Sequence, residues 1–307
     1  MKEGQPSATA HLIACSIVFV ARDPRFASLV PPQASVFSQW FMEAYSPRAK
    51  LLQRCINNSL FRWSAKVVER LAIPGILLHY VLRKRYLEQL VRTSLGDGLT
   101  QVIFLGAGFD TLAMRLHQEF AQVRFIEIDH PATQRLKTDV VRNRGMALPN
   151  VTFLGVDLTC QTLTHCLLAC SHYCPAKPAF FVAEGVLMYF TLEEVRAMLR
   201  FIRAHAGSGS RLAFTFLEPQ AGGAINFKTS SKAVDLWLRL RGEPFRWGIS
   251  REDLPAFLET QGFSLRELAS HETLRARYLT ADTVARAHLA QGEHIGVAEL
   301  LDAKRSS

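Results

Sequence analysis

Gln101-Val-Ile-Phe-Leu-Gly-Ala-Gly-Phe-Asp-Thr111 is an apolar strand that breaks into a Gly-x-Gly turn and passes at once into a helix. Gly106 and Gly108 lack a Cβ, so the backbone there turns tightly and can come close to a ligand, and the following helix aims unpaired N–H groups at it. By itself this pattern fits a dinucleotide, S-adenosyl-L-methionine or a bare structural turn.

The next three strand ends narrow the choice. Residues 123–128 form a second apolar run that closes with Asp129, placed where a carboxylate can accept hydrogen bonds from both hydroxyls of a ribose. Residues 151–156 end in Asp157-Leu158, and residues 179–183 end in Glu184. In a parallel sheet all these carboxyl ends share one edge, so three acids converge on the mouth of the Gly-rich turn. Each acid taken singly also fits a helix cap or a solvated loop. A dinucleotide wants a third small residue where this chain has Thr111, and its pyrophosphate is repelled by an anionic cluster. S-adenosyl-L-methionine has no phosphate and carries a sulfonium and an ammonium, so carboxylates around it are favourable. The residues therefore favour S-adenosyl-L-methionine as cofactor.

Leu105-Gly-Ala-Gly-Phe-Asp-Thr111 with Arg115-Leu116, then Glu127-Ile-Asp129, Gly155-Val-Asp-Leu158 and Ala183-Glu-Gly-Val-Leu-Met-Tyr189, resembles the leucine carboxyl methyltransferase family, its bacterial members most closely. The resemblance runs over about residues 82–201, more loosely to the C-terminus, and leaves residues 1–70 uncovered. It implies an α/β class I fold, a doubly wound, Rossmann-like seven-stranded sheet with a helical N-terminal cap over the cofactor. It also implies that Arg83 binds the methionine carboxylate and Gly106 lies under the methionine. Asp129 would hold the ribose, Asp157 the adenine amino group and Leu158 the ring edge through its backbone, with Glu184 near the sulfonium end. Arg83-Lys84-Arg85-Tyr86 offers two arginines, of which spacing selects the first; as a helix surface the cluster would simply be solvated.

Methyl transfer asks little of a protein beyond alignment, because the donor carbon is already electrophilic. A carboxylate acceptor is ionised at neutral pH and needs no general base, whereas a hydroxyl, phenol or amine does. Candidates beside the cofactor are Tyr189, read mainly as a packing aromatic, Glu218, read mainly as a solvated loop residue, and His130, whose blander role is a helix N-terminus. No catalytic residue is assigned. The loop Gly242-Glu-Pro-Phe-Arg-Trp-Gly248 either reaches over the substrate pocket or makes a structural turn.

The chain has 307 residues and is 49% hydrophobic, enough for a full α/β core with an appendage. The expected division is a helical N-terminal extension, residues 1–80, and a class I methyltransferase domain, residues 81–307. Residues 1–10 are small and polar and are expected to be disordered. The apolar stretch 12–21 is too short to span a bilayer. Lys2 is offset by Glu3 and Arg22-Asp23-Pro24 follow directly, which favours a buried cap helix over a signal peptide. Residues 36–45 and 49–71 read as helices punctuated by Pro31-Pro32, Pro47 and Pro74-Gly75, with Phe37, Trp40, Phe41, Phe61 and Trp63 expected in the core. Beyond them, helices are expected at 131–144, 162–171, 192–204, 231–240 and 254–260, and strands at 211–217, 263–268 and 294–300. Thr191-Leu-Glu-Glu194 and Ser250-Arg-Glu-Asp253 both have capping-box spacing. The orientation of the last strand is not legible.

Cys160, Cys166, Cys170 and Cys174, with His165 and His172 between them, lack the paired Cys-x-x-Cys spacing of a zinc site and read as free thiols of a reducing compartment, with no metal. The net charge of +9 comes from dispersed basic residues rather than a nucleic-acid module. The resulting expectation is a cytoplasmic enzyme that O-methylates a carboxylate or hydroxyl of a small molecule. A protein C-terminal carboxylate stays open as acceptor; neither nucleic acid nor membrane is expected as partner. The alternatives are an NAD(P)-dependent oxidoreductase, disfavoured by Asp157 and Glu184, and a non-catalytic cofactor-binding protein.

Overall fold

Short runs of apolar, β-branched and aromatic residues form the seven strands of the computed structural model, which describes residues 4–46, 49–158 and 163–301, without the side chains of residues 50, 282 and 283. Pro47, Cys160 and Thr162 thus lie outside the described residues. The strands are β1 (Gln101–Leu105), β2 (Arg124–Asp129), β3 (Val151–Gly155), β4 (Phe180–Ala183), β5 (Arg211–Leu217), β6 (Phe263–Ala269) and β7 (Glu293–Leu300). Their order is β3-β2-β1-β4-β5-β7-β6, a doubly wound α/β sheet. The first five strands pair in parallel, while β7 runs antiparallel to both β5 and β6. Chain order reverses between β1 and β4, the position at which open α/β sheets form a crevice at the strands' carboxyl ends.

Ahead of the sheet come α1 (Ala8–Ala21), α2 (Ala34–Tyr45), α3 (Ala49–Asn57), α4 (Ser59–Ala72) and α5 (Ile76–Gly96). Between strands run α6 (Leu112–Leu116), α7 (Pro131–Asn143), α8 (Leu163–Leu168), α9 (Leu192–His205), α10 (Lys232–Arg241) and α11 (Leu254–Thr260), and α12 (His271–Tyr278) and α13 (Asp282–Ala285) separate β6 from β7. The two-residue period of a strand sends Val102, Phe104 and Val182 to the face covered by α1, α5 and α6. Ile103, Leu105, Phe181 and Ala183 face α8, α9 and α11. Burial on both faces explains why these strands read as continuous apolar runs.

Thr191 and Glu194 close the expected capping box of α9. Ser250 and Asp253 bond to each other instead, Ser250 Oγ donating to the carboxylate and accepting the Asp253 N–H, so their pair shapes the turn before α11 rather than capping it.

Two expectations fail. Of the segment 1–10 expected to be disordered, residues 1–3 lie outside the described residues and the rest is structured from Ser7 on: Ser7 Oγ caps α1 by accepting the Ala10 N–H, and its own N–H donates to Thr133 Oγ1 at 3.0 Å. Distant partners order this polar stretch, and local composition does not contain them. Trp63 is 64% exposed. Helix α4 packs inward through Phe61 and Ala65, leaving Trp63 on the opposite face, whereas Phe37 and Phe41 are buried as expected and Trp40 packs beside them. No helix among the described residues is long and apolar enough to cross a membrane.

Candidate cofactor and substrate site

A cavity of about 410 Å³ opens at the carboxyl ends of β1 to β4 and is lined by Arg83, Gly106, Gly108, Asp129, Asp157, Leu158 and Glu184, all seven of the residues singled out in the sequence. The first turn of α1 and the loop after α10 complete its wall with Ser7, Thr9, Glu243 and Arg246.

The Gly-rich turn is held from below, because the N–H groups of Gly106 and Ala107 both donate to the Ile128 carbonyl at the end of β2, at 2.8 and 3.0 Å. Gly106 and Gly108 have φ of +69° and +51°, values a side chain makes costly. A Cβ on Gly106 would also lie 2.5 Å from Val186 Cγ2. The Gly108 N–H donates to Asp129 Oδ2 at 2.6 Å, tying the turn to the acid one strand away. Burial pushes the Asp129 carboxyl above its ordinary value, against the pull of that N–H.

Helix α5 delivers two cations to the floor. Arg83, 2% exposed, donates through Nη1 to both Glu293 oxygens at 2.7 and 3.0 Å and through Nε to Glu184 Oε1 at 3.0 Å, with its guanidinium 4.9 Å from the centre of the Tyr80 ring. Its Nη2 lies 2.9 Å from the same Glu184 oxygen, within ion-pair distance but off the line of a hydrogen bond. His79 Nε2 donates to Glu293 Oε2 at 2.7 Å. Burial alone would raise the Glu293 carboxyl, but Arg83 and His79 outweigh it and hold it at about 2. Lys84 Nζ donates to Asp110 Oδ2 at 2.6 Å and Glu184 Oε2 at 3.1 Å, so Glu184 is shared between two cations. Burial also opposes ionisation of Asp110, yet Lys84 keeps it well below the usual carboxylate range. Arg85 points elsewhere, donating to the Ser28 carbonyl at 2.8 Å beside the Tyr278 ring.

On the opposite wall, Tyr189 packs against Phe245 and burial pushes its phenol far above the ordinary value. Glu243 accepts the N–H groups of Ala8 and Thr9, each at 3.2 Å, and the Thr9 hydroxyl. The loop 242–248 is therefore both a cavity wall and a structural tie. His130 lines the cavity and caps α7, its Nδ1 accepting the Ala132 N–H at 3.3 Å, while its Nε2 lies 3.9 Å from Asp157 Oδ2. Glu218 is outside the cavity; it accepts from Arg251 and neighbours Lys228 and His294. Lys84, Asp110, Glu243 and Arg246 stand inside motifs the sequence reading quoted but were given no role there, whereas His79 and Glu293 carry no local signal at all.

A profile of the family described as leucine carboxyl methyltransferase matches residues 20–203. The chain belongs to the leucine carboxyl methyltransferase family. A Bacillus subtilis protein named as a candidate S-adenosyl-L-methionine-dependent methyltransferase is 27% identical over 196 residues, 62% of this chain and 63% of that one. A Streptomyces coelicolor protein of the same description is 30% identical over 180 residues, 56% of this chain and 61% of that one. The match thus spans less than two thirds of each of these relatives. Among solved structures, a candidate methyltransferase of Thermobifida fusca aligns over 98% of this chain and 97% of its own at 14% identity, TM-score 0.57. A DUF574 family protein of Streptomyces avermitilis aligns over 85% and 96% at 14% identity, TM-score 0.59. At these identities the likeness concerns the fold. In this leucine carboxyl methyltransferase family member the matched segment contains Arg83, the Gly-rich turn and the three acids at the carboxyl ends of β2 to β4. The wall made by Thr9, Glu243 and Arg246 lies outside it.

Proposed function

We propose that this protein is an S-adenosyl-L-methionine-dependent methyltransferase that transfers a methyl group to an oxygen of a small carboxylic acid, in the cytoplasm. The observation that carries this reading is the gathering of Asp129, Asp157 and Glu184 around the Gly106–Gly108 turn in one cavity, with the buried Arg83 guanidinium beside them. In this reading Arg83 donates to the methionine carboxylate, Asp129 accepts from the ribose, Asp157 and the Leu158 backbone meet the adenine, and Glu184 faces the cationic end. When bound, the cofactor supplies an electrophilic methyl group. Residues 1–80 act as the cap and residues 81–307 as the methyltransferase domain, with α5 running through the junction.

A carboxylate acceptor is favoured over a hydroxyl because the proton acceptors around the cavity have other work. The His130 Nδ1 lone pair is used by Ala132, Glu243 is occupied by α1, Glu184 and Asp110 are ion-paired, and the Tyr189 phenol stays protonated. A carboxylate is already nucleophilic at neutral pH. Arg246, exposed at the mouth and without an acidic partner among the described residues, suits an anionic acceptor. The five described free cysteines, Cys15, Cys55, Cys166, Cys170 and Cys174, accord with a reducing compartment.

Titration calorimetry with S-adenosyl-L-methionine, S-adenosylhomocysteine and NAD is expected to show binding of the first two only. Incubation with methyl-tritiated donor and a panel of small carboxylic acids is expected to give label that mild alkali releases as methanol, the signature of a methyl ester. Base-stable label would assign a hydroxyl acceptor, and NAD binding would return the fold to the oxidoreductases.

A further inference from the structure

Away from the cavity, α4 turns an apolar face to solvent. Leu60, Trp63, Val67 and Leu71 recur at helical spacing and are 72%, 64%, 39% and 73% exposed, with Leu51 of α3 also exposed. An amphipathic helix ordinarily buries such a stripe. Arg62, Lys66 and Arg70 follow one another every fourth residue along its edge.

That basic edge borders a groove of about 350 Å³ whose apolar floor includes Phe19, Phe26 and Leu77 and whose rim carries Arg25, Lys66, Arg70, Arg286 and His288. Its two acids do not neutralise the rim. Asp23 is taken by Arg25 at 2.8 Å and Lys66 at 2.7 Å. Glu69 accepts the Leu77 N–H at 3.1 Å, and burial pushes its carboxyl upward. Arg70 and Arg286 have no acidic partner among the described residues, so the groove keeps a positive excess beside an exposed apolar ridge.

We propose that α4 and this groove form a docking surface for an anionic phospholipid bilayer, with Trp63, Leu60 and Leu71 entering the interface and the Arg70–Arg286 rim meeting lipid phosphates. A Trp- and Leu-bearing face beside a Lys/Arg edge is the composition of helices that lie in a membrane surface without spanning it. Charge complementarity selects this occupant over a second copy of the chain, since a two-fold contact through α4 would set its basic edge against itself. Such a contact lies on the membrane surface and needs no spanning segment, in keeping with the absence of a helix long and apolar enough to cross a membrane among the described residues.

The test is co-sedimentation of the full chain with phosphatidylcholine vesicles, with or without phosphatidylglycerol, followed by tryptophan emission. Binding is expected only with phosphatidylglycerol, weakened by added salt and accompanied by a blue shift that Trp63→Phe removes. Trp63→Ser with Leu71→Ser should lower the partition coefficient about tenfold or more. Arg70→Glu with Arg286→Glu should abolish the preference for anionic lipid, thermal unfolding and cofactor affinity being unchanged in both variants. Equal binding to neutral vesicles, no binding to either, or a lipid-free dimer dissolved by Trp63→Ser would each overturn the proposal.

Discussion

Glu243 caps a helix that begins 235 residues earlier in the chain: its two carboxylate oxygens accept the Ala8 and Thr9 N–H groups, holding the first turn of α1 against the loop after α10. The carboxylate satisfies donors that every helix start leaves unpaired and sits at the positive end of the helix dipole.

Replacing Glu243 by Ala should destabilise the protein by about 1 kcal/mol, the usual cost of a lost cap, and accelerate release of bound S-adenosylhomocysteine. Stopped-flow displacement and thermal unfolding read the two effects. Unchanged release would separate this contact from the cavity.

Asp129→Ala and Glu184→Ala should each weaken S-adenosyl-L-methionine binding by at least ~1.5 kcal/mol, the scale of a charge-assisted hydrogen bond. Calorimetry on both folded variants gives the answer, and wild-type affinity in the pair would displace the site.

Arg85→Ala should leave cofactor affinity as it is, because its guanidinium reaches Ser28 and not the cavity. Arg83→Ala should lose affinity, and the opposite ranking in calorimetry would remove Arg83 from its proposed role.

Glu293→Ala should cost about 3 kcal/mol or more in a denaturant titration, since it strips Arg83 of one of two buried carboxylates. An unfolding midpoint equal to wild type would show that Glu184 suffices.

Glu127 is buried, and desolvation raises its carboxyl from 4.5 to about 7 despite Lys137 at 2.5 Å. Between those values the folded chain binds this proton more tightly than the unfolded chain, so this group's contribution to stability falls as pH rises through the window. Unfolding of wild type and Glu127→Gln from pH 5 to 7 should reveal that slope as the difference between them. A constant difference would mean that Glu127 titrates normally.

The sequence by itself determined the parallel half of the sheet, because its inner strands, buried on both faces, must be apolar throughout and the half-buried edge strand β3 still reads as an apolar run, and their carboxyl ends are marked by Gly106, Asp129, Asp157 and Glu184 within a few residues of each run. It pointed to Arg83 through the family resemblance together with the spacing of the motif, and not through any local signal that shows which of Arg83 and Arg85 faces inward. The tertiary structure decided what depends on distant partners: the antiparallel β7, which brings Glu293 to Arg83 and His79; the order of the polar N-terminus, fixed by Thr133 and Glu243; and the exposure of Trp63. Local pattern encodes periodicity and turn chemistry, whereas a carboxylate that pairs 210 residues away leaves no trace in its neighbours.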